Sequence, residues 1–171
     1  MITIRQERPE DIAMVRAVNE AAFGRPAEGE VVDLIRAACP DAVSLVAVDD
    51  GQVVGHVLFS PAVVSGDGEA VPGMGLAPMA VLPRRQRQGI GSMLVRAGLE
   101  AMRDRNCPFV IVLGHPEYYP RFGFVSASNH GLVCQWDGVP DEAFMVLILD
   151  EDRMAGVSGV ARYRDEFDQA M

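Results

Sequence analysis

Apolar residues alternate, then recur at helical spacing, then alternate again along this chain. Ile2 to Arg5 predicts a short strand. Pro9-Glu10-Asp11 opens a helix, with proline in the first turn and acids against the positive end of the helix dipole. Ile12, Val15, Val18 and Ala22 carry an apolar stripe as far as Phe23-Gly24. Gly24-Arg25-Pro26 breaks it. Glu28 to Ala38 predicts a second helix with Val31, Leu34, Ile35 and Ala38 on one side, ended by Cys39-Pro40.

After Pro40 the period changes to two. Ala42 to Val48 reads as a strand, Asp49-Asp50-Gly51 as a hairpin turn and Val53 to Val64 as the partner strand. A turn at Ser65 to Glu69 leads into a further extended segment, from about Ala70 to Leu82, which completes a meander. Gln88 to Arg105 is the clearest helix, with Ile90, Met93, Leu94, Ala97, Leu99 and Met102 on a broad apolar face. Phe109 to Gly114 is a continuous apolar run, the mark of a strand covered on both faces. His115 to Phe122 predicts a short helix or turn, and Phe124 to Ser126 and Phe144 to Leu149 predict strands. Residues 127–142 and 150–171 show no period that selects a helix or a strand. The order is that of an α+β chain: one domain over residues 1–150, with a C-terminal extension, 151–171, packed on it.

Composition narrows the function. The chain has 171 residues, 49% hydrophobic and 23% charged, a globular balance. No apolar run approaches the roughly 20 residues of a membrane span. Charge within Met1 to Glu7 argues against a signal peptide, so a cytoplasmic location is expected. A net charge of -9 argues against nucleic acid as a partner. Yet Arg84, Arg85 and Arg87 cluster with no acid among them, and such an island suits a small anionic ligand. Cys39, Cys107 and Cys134 lack metal-ligand spacing, so neither a metal site nor a disulfide framework is expected.

The arginines sit in a segment with mechanical meaning: a strand ending at Leu82-Pro83, then Gln86-x-x-Gly89-x-Gly91, then the long helix. The first N–H groups of a helix lack intrahelical partners and point along the positive end of its dipole. Glycine there lets an anion approach the main chain. The segment is not a dinucleotide fingerprint, since Val95 to Gly98 lies deep in the helix and the preceding strand belongs to a meander, nor a P-loop, since no Gly-Lys-Ser/Thr follows. By itself it also fits a tight helix start with solvated arginines.

Arg85-Gln86-Arg87-Gln88-Gly89-Ile90-Gly91 between strand and helix resembles the acetyl-CoA signature of the GNAT superfamily of N-acetyltransferases. Tyr118-Tyr119-Pro120-Arg121-Phe122-Gly123-Phe124 resembles the family's Tyr-x-x-x-Gly-Phe segment after the fifth strand. Together with Gly55 to Pro61 these resemble a bacterial branch of small predicted acetyltransferases. The resemblance implies the GNAT fold, a mixed, mainly antiparallel sheet flanked by helices, whose parallel fourth and fifth strands splay apart. It implies acetyl-CoA as co-substrate and no metal. Pantetheine would pair with the backbone of Met79, Ala80 and Val81 as an added strand does. Pyrophosphate would lie on the loop Gln86, Arg87, Gln88, Gly89, Ile90, Gly91 and Ser92. Pro78, which has no N–H, suits a strand leaving its ladder.

Acetyl transfer to an amine needs a base for the amine, a donor for the oxyanion and an acid for the leaving thiolate. By the same resemblance the N–H of Ala80 or Val81 is the oxyanion donor and Tyr119 the acid. Some relatives carry a glutamate on the fourth strand, but Gly75 to Leu82 holds no acid. His56 is the catalytic candidate of suitable type, since imidazole titrates near neutrality. Glu28, Glu30, His115, Glu117 and a water relay stay open, as does a core role for His56. Phe23, Arg25, Glu28 and Glu30 are candidates for contact with the acceptor, a small-molecule or peptide amine, and a homodimer is allowed. The alternative is a GNAT-like module that binds acetyl-CoA as a sensor without transfer.

Overall fold

The computed structural model describes residues 1–170. The chain divides into two compact units. The first comprises Met1–Ser60, Ala77–Glu100 and the residues from Asp165 on; the second comprises Pro61–Leu76 and Ala101–Arg164.

In the first unit, β1 (Ile2–Gln6) runs antiparallel to β2 (Val43–Asp49), which runs antiparallel to β3 (Gln52–Ser65). The next neighbour in hydrogen-bonding order is β4 (Val71–Val81). The hairpin turn expected over Asp49-Asp50-Gly51 is a two-residue turn, Asp50 and Gly51 with φ of 49° and 76°, because Asp49 closes β2. Side-chain alternation along β3 then sorts the helices onto two faces. A Cβ on Gly55 would meet Leu94 and Ile90, and Phe59 lies against Gly98, so α3 (Ile90–Asp104) covers one face. His56 points the other way, to Asn19 of α1 (Ile12–Phe23). Helix α2 (Ala27–Ala38) packs beside α1.

The α3 interface is close. A Cβ on Gly98 would stand 2.0 Å from Phe59 Cε2, and Phe59 is wholly buried. In an exposed helix Gly→Ala adds about 1 kcal/mol of stability. Here Gly98→Ala is expected to cost about 1–3 kcal/mol, because the ring has nowhere to move. Thermal denaturation reads the sign, and a raised Tm would show that the helix can ride outward.

Several details depart from the predicted pattern: Ile12, Leu34 and Ala38, expected on the apolar sides of the first two helices, are exposed. Met93, expected on the buried face of α3, is 40% exposed, while Val95 is buried. The face is centred on Ile90, Leu94, Gly98 and Met102, which puts Met93 on the outer flank. The helix expected from Pro9 begins as a 3-10 turn over Pro9–Asp11. Its Asp11 accepts from Arg5 Nη1 at 2.6 Å and Nη2 at 3.1 Å, and from the Arg8 N–H at 2.7 Å. The Arg5 guanidinium therefore holds the Asp11 carboxyl below its usual range.

In the second unit, β4 pairs in parallel with β5 (Phe109–Leu113) from Met74↔Val110 to Leu76↔Val112. Strand β6 (Val125–Ser126) is short, and like β5 it lies antiparallel to β8 (Phe144–Ile148). Phe109 to Val112 are buried in succession, so both faces of β5 are covered, which is why it reads as an unbroken apolar run. β7 (Leu132–Cys134) pairs in parallel with β9 (Gly159–Arg162), which is antiparallel to the end of β3. The four-residue helix α4 (Glu151–Met154) precedes β9. The stretch expected as a C-terminal extension is thus shared out. β9 is woven into the second unit, whereas a 3-10 turn over Asp165–Gln169 lies on α2 in the first. The final residue of that stretch, 171, lies outside the described residues.

Candidate active site

The loop between β4 and α3 is built to leave main-chain donors open. Its entry is pinned: Leu82 N–H donates to Val54 O at 2.9 Å and Arg85 N–H to Leu82 O at 2.8 Å. Gln86 folds back, its Nε2 donating to Val81 O at 3.0 Å. Arg87 and Gly89 then take left-handed φ of 63° and 85°. For a non-glycine residue that conformation costs about 1–2 kcal/mol and marks a site where geometry matters more than ease. The turn ends at α3, where Met93 N–H reaches Gly89 O at 3.1 Å. The N–H groups of Gly89, Ile90 and Gly91 precede that first helical bond and have no i−4 carbonyl to meet. A Cβ on Gly89 would have no atom within 4 Å. Packing does not demand glycine there; the positive φ and an open approach to the backbone do. The loop therefore fits an anionic group.

Charge around the loop is organised differently from the simple island expected. Arg85 Nη2 donates to Asp49 Oδ2 at 2.8 Å, and its Nε to Gln88 Oε1 at 3.2 Å. Asp49 Oδ1 also meets the N-terminal ammonium at 3.2 Å. One of the three arginines is therefore committed to a carboxylate, while Arg84 and Arg87 are exposed.

Met79 is half-buried and Ala80 and Val81 are buried at the end of β4, beyond the registered β4–β5 pairs, which stop at Leu76. Tyr119 belongs to the second unit, at the start of the 3-10 turn Tyr119–Phe122. Its ring meets Tyr118 edge-on at 5.1 Å and Phe124 at 5.8 Å. A Cβ on Gly114 would stand 2.4 Å from Tyr119 Cε2, so glycine admits the ring against the end of β5. Burial pushes the phenol pKa well up, which keeps it protonated.

His56 is fully buried. Asn19 Nδ2 lies 3.1 Å from Nδ1 and Ser44 Oγ 2.8 Å from Nε2. The amide can only donate, so Nδ1 accepts and the ring proton sits on Nε2, facing Ser44. Burial first, and the charge of Arg36 second, lower its pKa to about 3. A neutral imidazole with both nitrogens engaged has no lone pair for an incoming ammonium, so the catalytic role expected for His56 gives way to a role in the core.

Because the folded pKa of His56 lies below the unfolded one, its contribution to stability is complete above about pH 6.5 and is lost as pH falls toward 3. At pH 5 the loss is roughly 2 kcal/mol. Denaturant unfolding of wild type and His56→Gln between pH 7 and 5 checks it: the variant is expected to show the shallower pH slope, and equal slopes would contradict the assignment.

On the acceptor side, Phe23 is 41% exposed at the end of α1. Glu28 is paired with Arg25, whose Nε lies 3.0 Å from Oε1, and Arg25 Nη2 also donates to Ala170 O at 2.8 Å. Glu30 lies 3.7 Å from Arg16. Both glutamates thus already carry a counter-charge. His115 and Glu117 are exposed.

The family of acetyltransferase (GNAT) domains matches residues 3–127. An uncharacterized N-acetyltransferase of Escherichia coli K12, YhbS, is 38% identical over 167 residues, which cover 97% of this chain and 98% of the relative. This chain belongs to the GNAT acetyltransferases. A crystal structure of YhbS from Escherichia coli in complex with CoA matches it with a TM-score of 0.90, covering 98% of this chain and 92% of the other. A GNAT acetyltransferase from Brucella melitensis in complex with acetyl-CoA matches at 38% identity with a TM-score of 0.80, over 98% and 99% of the two chains.

The GNAT family match ends at residue 127, and a buried residue on the β4–β5 ladder lies past it. Tyr163, just after β9, is buried, and its hydroxyl donates to Leu76 O at 3.1 Å and comes within 3.4 Å of Ile111 O. It therefore sits on the last pairs of the β4–β5 ladder. Its ring stacks on Trp136 at 5.8 Å. Sequence reasoning missed both it and Asp49, and the one signal for Tyr163 was an aromatic residue in a polar tail.

Proposed function

We propose that this GNAT chain moves an acetyl group from acetyl-CoA to a primary amine by direct attack within a ternary complex. The observation that carries the reading is the loop after β4: two left-handed residues, the N–H groups of residues 89–91 ahead of the first helical bond and a Gly89 with nothing above it. The E. coli and Brucella relatives, described with CoA and acetyl-CoA, support the same ligand here.

The N–H groups from Arg87 to Ser92, with Arg84 and Arg87 beside them, hold the pyrophosphate. The backbone of Met79 to Val81 orients the pantetheine amides, and the N–H of Ala80 or Val81 takes the oxyanion charge. Tyr119 donates to the sulfur. A phenol raised above its ordinary value of about 10 keeps its proton and serves by donating a hydrogen bond to the sulfur as it becomes anionic. With His56 engaged in the core, a water relay takes the amine proton. The end of α1 and the start of α2, with Phe23, Glu28 and Glu30, face a small-molecule or peptide amine. A relative named as an N-acetyltransferase, matched over 98% of its length, favours this over a binding module without transfer.

Initial-velocity patterns with varied acetyl-CoA and amine test the ternary complex. Intersecting lines are expected. Parallel lines would indicate an acetylated enzyme and overturn direct attack.

A further inference from the structure

Among the described residues Arg85 is the one loop arginine tied to an acid, and its contacts run across the strained part of the loop. Its guanidinium reaches from Asp49, at the end of β2, to Gln88, and Gln88 Nε2 returns to Arg84 O at 3.4 Å. Gln88 lies between the two left-handed residues, Arg87 and Gly89. The side chains of Arg85 and Asp49 are only 25% and 20% exposed, so the pair is partly sheltered from water. An ion pair of this kind adds little to global stability. What it can do is hold an unfavourable backbone shape in advance, so that ligand binding does not bear the cost of ordering it.

We infer that Asp49 is a positioning residue for acetyl-CoA: it holds Arg85 as a strut to Gln88 and keeps the pyrophosphate loop in its binding shape before the ligand arrives. The inference rests on the loop being the pyrophosphate site. Charge alone points the opposite way. A carboxylate near a pyrophosphate repels it, and an arginine occupied by a carboxylate is withheld from phosphate. If charge dominates, removing Asp49 tightens binding; if Asp49 is a strut, removal weakens binding. The sign of one affinity change therefore decides. The Arg85 guanidinium and the N-terminal ammonium hold the Asp49 carboxyl below its usual range, so the strut stands throughout the neutral range.

Calorimetric titration of acetyl-CoA into wild type, Asp49→Asn, Asp49→Glu, Arg85→Gln and the Asp49→Asn/Arg85→Gln pair tests it, with Gly89→Glu as the control for the loop. Asp49→Asn is expected to weaken binding about tenfold and to raise KM for acetyl-CoA equally, with kcat at saturation within about twofold. Tm should move by no more than about 2 °C, a split that a merely structural residue would not give. Asp49→Glu should restore most of the affinity, and the double variant should bind no more weakly than Arg85→Gln. Unchanged or tighter binding by Asp49→Asn, or losses that multiply in the double variant, would overturn the strut while Gly89→Glu still fails to bind. Normal binding by Gly89→Glu would instead remove the loop reading itself.

Discussion

Gly89→Glu is expected to abolish measurable acetyl-CoA binding while the protein stays folded. Position 89 has φ of 85°, and a Cβ there would meet no atom within 4 Å, so a side chain projects into open space without a clash. The folded state bears only the cost of a left-handed non-glycine residue, about 1 kcal/mol, which lowers Tm by a few degrees. Binding suffers far more. The new carboxylate would lie among the N–H groups of residues 89–91, accept their hydrogen bonds and repel the pyrophosphate. Like charges brought together in this way cost several kcal/mol, equivalent to an affinity loss of about a hundredfold or more. Gly89→Ala separates the contributions, since it carries the same strain without the charge. It should retain part of the affinity.

Tyr119→Phe is expected to lower kcat by about a hundredfold, at the lower end of what a positioned acid contributes. Phenylalanine keeps the ring that packs on Tyr118, Phe122 and Phe124 and against the backbone at Gly114, so the turn should hold its shape. Acetyl-CoA affinity should change by no more than about twofold, because only the hydroxyl is lost. Steady-state rates at saturating acetyl-CoA measure the effect. An unchanged rate would remove Tyr119 from the chemistry.

The parts of the fold legible in the sequence are those with enough residues to show a period. α3 repeats its apolar face over 15 residues, and β5 is a run of five that burial on both faces makes wholly apolar. β7 and β9, with three and four residues, are too short for alternation to stand out, and their pairing with each other and with β3 is a tertiary fact. The site divides in the same way. Gly89 stood out in the sequence, and its φ of 85° is a local backbone need that selects glycine. His56 was misleading because residue type suggests titration near neutrality, whereas burial between Asn19 and Ser44 decides its charge. Arg85 was readable as a cation but not as a strut. A guanidinium fork suits phosphate and carboxylate alike, and Asp49, its partner, lies 36 residues earlier.

Release of free thiol from acetyl-CoA, followed across a panel of small-molecule and peptide amines, tests the central claim most directly. The expected result is thiol release that depends on an amine and matches the amount of acetylated amine formed. Clear stabilisation of the protein by acetyl-CoA with no thiol released for any amine would contradict it.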